Sequence, residues 1–175
     1  MTGVLLVGGA SERFGSPKAV ARFGSETLAE RAWRLLGEAF EARLAVGKGE
    51  LALPFDVVVE PAEPQAPLVG VIAGLRAAAT ETAVFLPVDC PLVTPALLRE
   101  LGERRAVTQT GPLPGAYSKS DLPELERRLA SADWSLRDVN PRVLEADPRL
   151  LANANTPADL SALERDLATL DHDPA

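Results

Sequence analysis

The amino-acid sequence predicts an α/β fold: a mostly parallel central sheet flanked by helices. Three observations predict it. Short apolar runs of strand length recur at residues 3–7, 44–46, 56–59 and 83–88. Segments with helical periodicity or helix-start signals stand between them. The first run ends in Gly8-Gly9 and opens into a polar, glycine-containing loop. A continuous apolar run suits a strand buried on both faces, and strands alternating with helices give a parallel sheet.

Each element follows in order. Residues 3–7 read as the first strand and residues 8–18 as the loop after it. Thr27-Leu28-Ala29-Glu30 is a capping box, with the glutamate three residues after the threonine. It opens a helix to about residue 40, with Leu28, Ala32, Leu35, Leu36 and Ala39 on one face. Residues 44–46 and 56–59 are the next strands. Residues 60–67 hold three prolines, which bars a helix or central strand there. Residues 68–79 alternate apolar and small residues and read as a closely packed helix. Gly70 and Gly74 each weaken it by about 1 kcal/mol relative to alanine. Residues 83–88 are a buried strand ending at Asp89-Cys90-Pro91, and Pro95 starts a short helix. Residues 106–109 read as a strand, 121–130 as a helix and 150–152 as an edge strand. Thr156-Pro157-Ala158-Asp159 supplies a cap, a proline at the first helical position and an acid in the first turn. It begins a last helix to about residue 170. Residues 1–170 therefore read as one domain, and residues 171–175 as a frayed tail.

Composition excludes several kinds of chemistry. The chain has 175 residues, 46% apolar and 25% charged, with one cysteine, one histidine and a net charge of −7. That charge argues against non-specific nucleic-acid binding. No run approaches the roughly 18 apolar residues of a membrane helix, and Met1-Thr2-Gly3-Val4 does not read as a secretion signal. A lone Cys90 allows no internal disulfide and fits a cytoplasmic location. The single His172 lies in the acidic tail, so neither a Ser-His-Asp nor a Cys-His machine has a base. A metal here would be a hard cation held by oxygen.

Three motifs remain as carriers of chemistry. The loop Leu6-Val7-Gly8-Gly9-Ala10-Ser11-Glu12-Arg13-Phe14-Gly15-Ser16-Pro17-Lys18 leaves the end of a buried strand, where open α/β sheets bind ligands. Its glycines let backbone N–H groups approach an anion; Arg13 can grip phosphate oxygens and Lys18 supplies a point charge. It is neither a Walker loop nor a dinucleotide fingerprint. Asp89 ends another buried strand and can hold Mg²⁺ against a nucleotide phosphate; a loop-capping role is the alternative. Asn153 and Asn155, two residues apart on an extended segment, face the same way. They can bind a ligand, or serve turn and cap chemistry before the last helix. Glu60 follows a strand and is placed to reach a bound nucleotide. Trp33 and Trp134 read as packing residues. Arg76, Arg99, Arg104, Arg105, Arg127 and Arg128 read as solvated helix faces.

Taken together, these residues resemble a known family. Leu6-Val7-Gly8-Gly9 with Ser11, Arg13, Gly15 and Lys18 resembles the signature loop of sugar-phosphate and cofactor nucleotidyltransferases. Four further segments resemble the molybdenum cofactor guanylyltransferases: residues 67–75, Asp89-Cys90-Pro91, Pro112-Leu113 with Tyr117, and residues 153–160 with Asn153-x-Asn155-Thr156-Pro157. The match runs from about Val4 to Leu160 in the expected order.

The resemblance implies a Rossmann-like nucleotidyltransferase domain that transfers GMP from GTP to the phosphate of molybdopterin and releases pyrophosphate. It places Leu6, Val7 and Gly8 near guanine and ribose, within a loop that includes Gly9 and Gly15. Arg13 and Lys18 would bind the triphosphate, Asp89 would hold Mg²⁺, and Asn153 and Asn155 would lie on the molybdopterin side. Partners would be the two substrates and proteins that deliver the molybdenum cofactor. The chain departs from the family where aspartate is usual and Glu60 stands, where glycine is usual and Ala66 stands, and where asparagine is usual and Gly47-Lys48-Gly49 stands. Lys48 offers a phosphate contact in exchange. Pro17 before Lys18 also occurs in related cytidylyltransferases. The alternatives are therefore a molybdopterin cytidylyltransferase, a sugar-1-phosphate nucleotidyltransferase and, more remotely, a non-catalytic nucleotide-binding protein. A nicotinamide dehydrogenase has the wrong glycine pattern.

Overall fold

A computed structural model describes residues 1–8, 17–49 and 51–170. The first strand, β1 (Thr2–Leu6), lies near the middle of a seven-stranded sheet. A small antiparallel hairpin follows, β2 (Arg22–Phe23) with β3 (Glu26–Thr27). Helix α1 (Leu28–Ala39) starts where the capping box predicts. The Thr27 hydroxyl accepts from the Glu30 amide at 3.2 Å, and the Glu30 carboxylate accepts from the Thr27 amide at 2.7 Å. Next come β4 (Ala42–Gly47), β5 (Val57–Val59), α2 (Pro67–Ala77), β6 (Thr82–Pro87) and α3 (Pro95–Arg104). The chain ends with β7 (Val107–Thr108), β8 (Gly111–Ser118), α4 (Leu122–Ala130), β9 (Val143–Leu144) and α5 (Pro157–Leu170).

The sheet order is β5-β4-β1-β6-β8-β7-β9. Strands β5, β4, β1 and β6 are mutually parallel, β9 is parallel to β7, and β8 runs antiparallel to both its neighbours. The chain winds outward from β1 through β4 to β5, then returns to β6 on the other side of β1. The winding therefore reverses between β1 and β6, and a crevice opens at the carboxyl ends of those strands.

Side chains of β1 alternate between two cores. Leu5 faces one with α1, α3 and α5; Val4 and Leu6 face the other with α2 and α4. On β6, Val84 and Leu86 join the first, and Ala83 and Phe85 the second. This burial on both faces explains the continuous apolar runs.

Two expectations need correction. Residues 150–152 are not an edge strand: Pro148–Leu151 form a 3-10 turn, because the Asp147 carboxylate caps the Arg149 amide at 2.9 Å and Pro148 sets the first position. The segment after residue 110, where the sequence reading placed no strand, contains the eight-residue β8. Pro112 and Pro114 hid it. They lie beyond Gly115, the last residue paired with β6, so no central ladder bond is lost.

Two side chains also differ from their sequence reading. Trp134 is exposed rather than packed, whereas Trp33 stacks on Phe55 with ring centroids 4.2 Å apart. Arg128 is not solvated: its guanidinium donates to the Ser135 and Arg137 carbonyls at 3.0 and 2.7 Å. Among the described residues no helix is long and apolar enough to cross a membrane.

Candidate active site

Backbone pairing continues past the strand ends and fixes the crevice. The Val7 amide donates to the Val46 carbonyl at 2.9 Å, Val88 to Leu6 at 3.1 Å, and Glu60 to Gly47 at 2.9 Å. Glu60, Asp89 and the Leu6-Val7-Gly8 run are thereby held at one end of the sheet. They line a cavity of about 870 Å³ together with Lys18, Asn153 and Gly70.

Lys18 begins a 3-10 turn anchored by buried Ala19. Its ammonium donates to Asp89 Oδ2 at 3.1 Å and to Asn155 Oδ1 at 3.0 Å. One cation thus joins the loop after β1, the carboxylate after β6 and the segment before α5. Asn153 and Asn155 are both exposed and flank fully buried Ala154, so they face the same way, as the spacing predicts. The Ala154 amide ties this segment to the Asp89 carbonyl at 2.8 Å. Asp159 accepts from the Asn155 and Thr156 amides at 2.9 and 2.8 Å, and these amides hold its carboxyl below the usual range. The cap chemistry and the placing of the asparagines are therefore one arrangement, not competing ones.

Cys90 is buried. Its thiol donates to Asn153 Oδ1 at 3.2 Å, and burial followed by the Asp89 charge pushes its pKa up. A thiol held protonated packs and positions; it is no nucleophile. Lys48 lines the cavity, but its ammonium donates to the Ala62 and Pro64 carbonyls at 2.7 and 2.9 Å, which fastens the proline loop.

Glu60 is 7% exposed, and its Oε2 has no hydrogen-bond partner among the described residues. Its carboxylate lies between two glycines. A side chain on Gly8 would meet Oε1 at 2.9 Å, and one on Gly70 would meet Oε2 at 2.8 Å. Burial raises its pKa, with Lys48 partly opposing. A buried acceptor without a donor destabilises the fold, and its position on the cavity wall suits a ligand that brings one.

Among the described residues no three of His, Cys, Asp and Glu gather into a metal cage. Asp89 offers one carboxylate, with the Asn153 and Asn155 amide groups nearby. That all-oxygen, single-carboxylate set fits a magnesium-like ion, which takes its other ligands from water and substrate phosphates. Gly9, Arg13, Gly15 and His172 lie outside the described residues.

Two contacts escaped the sequence reading. Arg31 of α1 donates from Nε to the Pro91 carbonyl at 2.6 Å and so braces the Asp89 loop; no local pattern signals a bond 60 residues away. Asp159 organises Asn155, and its spacing from Thr156 was read only as a helix start.

The family model of the MobA-like NTP transferase domain matches residues 3–143. The chain belongs to that family. A probable molybdenum cofactor guanylyltransferase of Chloroflexus aggregans is 33% identical, with 97% of this chain and 96% of that one covered. The crystal structure of molybdopterin-guanine dinucleotide biosynthesis protein A from Archaeoglobus fulgidus has the same fold, with a TM-score of 0.79 at 22% identity, covering 97% of this chain and all of that one. A Mycobacterium tuberculosis protein solved in complex with manganese matches with a TM-score of 0.65 at 22% identity, covering 94% and 97%. Full-length agreement with family members makes this MobA-like chain a nucleotidyltransferase of molybdenum cofactor biosynthesis.

Proposed function

We propose that the protein transfers GMP from GTP to the phosphate of molybdopterin, in the cytoplasm, using Mg²⁺ held on Asp89. The observation that carries this reading is the meeting of Lys18, Asp89, Asn153 and Asn155 at the rim of the cavity that Glu60 lines. Guanine would enter between Gly8 and Gly70 and donate its ring N–H and amino group to the Glu60 carboxylate, whose Oε2 is an unmet acceptor among the described residues. Leu6, Val7 and Gly8 would form the wall beside base and ribose. Gly9 and Gly15 would let the loop backbone reach the triphosphate, and Arg13 would grip its oxygens.

An oxygen of the acceptor phosphate attacks the α-phosphorus of GTP. The bond from that phosphorus to the bridging oxygen of the β-phosphate breaks, and pyrophosphate leaves. The acceptor is a phosphate ionised at neutral pH, so the chain needs no general base. Its task is to bring two anions together. Lys18 and Arg13 stabilise the charge moving onto pyrophosphate, while Asn153 and Asn155 hold the acceptor in line. A divalent cation, when bound, neutralises charge on the reacting phosphates. Proteins that deliver the molybdenum cofactor are the expected partners, and the unpaired thiol of Cys90 suits a reducing compartment.

The test is pyrophosphate release with Mg²⁺ and molybdopterin, comparing GTP, CTP, UTP and ATP. Release with GTP alone is expected. Asp89→Asn and Lys18→Ala should each lower the rate by about 10²–10³, the effect of losing one preorganised charge partner. Release with CTP instead would assign the chain to the cytidylyltransferases, and near-normal turnover of either variant would remove these roles.

A further inference from the structure

Asp89 projects a carboxylate at a strand end where a divalent cation is expected, yet an ammonium already stands against it. Lys18 Nζ lies 3.1 Å from Asp89 Oδ2, with the two side chains 16% and 22% exposed. The ammonium is pinned from a second side by Asn155 Oδ1 at 3.0 Å. The Lys18 backbone is fixed as well, by the 3-10 turn in which Val20 N donates to Pro17 O at 3.1 Å and Ala21 N to Lys18 O at 3.0 Å.

A magnesium-like ion binds a carboxylate oxygen at about 2.0–2.1 Å and demands its own shell of oxygens. A lysine nitrogen 3.1 Å from that oxygen occupies one side of this shell and adds like charge. A divalent cation that takes Oδ2, or both carboxylate oxygens, must therefore exchange with the ammonium rather than share the group. We propose that Lys18 is the resident counter-ion of Asp89, which an arriving divalent cation must displace. This inference rests on the reading of Asp89 as the metal-holding residue.

The displacement has a use. The ammonium leaves one anion, and a triphosphate arriving with its cation offers it another. Cation and nucleotide then enter together, while the cation alone binds weakly. Asn155 loses its lysine partner in the same event and is released toward the acceptor. The nucleotide half of the site thereby completes the acceptor half.

The test uses the nucleotide-free full chain and Mn²⁺ as the probe, with bound and free metal separated by electron paramagnetic resonance. Wild type is compared with Lys18→Met, Lys18→Gln, Lys48→Met and Asp89→Asn, after circular dichroism confirms their folding. Lys18→Gln covers the case in which the methionine variant misfolds. Both Lys18 variants should bind Mn²⁺ about fivefold tighter than wild type, the ratio expected for losing a competing, partly exposed ion pair. The double variant Lys18→Met/Asp89→Asn should lose that gain. Lys48→Met removes the same charge from the same cavity but breaks no bond to Asp89, so its gain should be much smaller. Lys18 variants that bind no tighter, or an equal gain in Lys48→Met, would overturn the inference alone, provided Asp89→Asn still weakens binding. An Asp89→Asn variant that binds Mn²⁺ as wild type does would overturn the inference together with the reading of Asp89.

Discussion

Burying a carboxylate oxygen that has no hydrogen-bond partner destabilises a fold, and Oε2 of Glu60 is buried in that way among the described residues at the edge of the cavity. Its raised pKa means the native state holds the proton more tightly than the unfolded chain does. Native stability therefore falls as pH rises from the ordinary glutamate value through the folded pKa, and levels off above it. Glu60→Gln removes the charge while keeping the size. Urea unfolding at pH 8 should find the variant more stable by about 1 kcal/mol, the scale of an unsatisfied buried group, with the gain shrinking toward pH 4. GTP binding, followed by calorimetry, should weaken about tenfold or more, because the amide replaces one acceptor with a donor that faces guanine's own donors. A variant with unchanged GTP affinity would free Glu60 from base recognition. The same residue shows what one sequence reveals. Its place after a strand was legible, but the glycines on either side of its carboxylate come from positions 8 and 70, and only folding brings them together.

Helix α2 shows the same limit one scale up. From sequence, Gly70 and Gly74 are costs to a helix. Packed against the sheet, they are what lets the helix sit there. A Cβ on Gly74 would lie 2.6 Å from Phe85 Cε1 and 2.9 Å from Val4 Cγ1. Gly74→Ala should therefore lower stability by about 1–3 kcal/mol through overpacking, despite alanine's better helix propensity. Thermal unfolding checks the sign: a raised midpoint would mean the helix can shift outward at little cost. Elements with strong local signals were legible, including β1, α1 with its capping box, and α5 behind Thr156-Pro157. Strand β8 was not, because its two prolines are tolerated only where β6 no longer pairs with it, and the pairing partner is not a local property. Residues 150–152 misled in the opposite direction, since an apolar trio reads as strand until Asp147 and Pro148 are seen to set a 3-10 turn. Leu6, Val7, Gly8, Lys18, Glu60, Asp89 and Asn153, which line one cavity, were each singled out in the sequence. The ammonium that joins Lys18, Asp89 and Asn155 was not legible, because it spans 137 positions of sequence.

At the scale of the whole molecule, the site exists only where the sheet's winding reverses. Lys18 follows β1, Glu60 follows β5, Asp89 follows β6, and Asn153 and Asn155 precede α5, so no contiguous piece of chain carries it. The Ala154 amide on the Asp89 carbonyl and the Lys18 ammonium on Asn155 join the C-terminal return to the first half. Residues 1–170 should accordingly unfold as one cooperative unit, with the nucleotide site lost in the same step as the helices. GTP with Mg²⁺ at about 100 times its dissociation constant should add about 2.7 kcal/mol to stability, by mass action on the native state alone. With a urea m-value of about 2 kcal/mol per molar, the midpoint rises by about 1.3 M. Circular dichroism and a fluorescent GTP analogue, followed in the same titration, should give coincident transitions. If the nucleotide signal vanished at lower urea than the helical signal, the two halves would be separately stable. The ties from Asn155 and Ala154 would then be local contacts rather than the closure that makes the domain one.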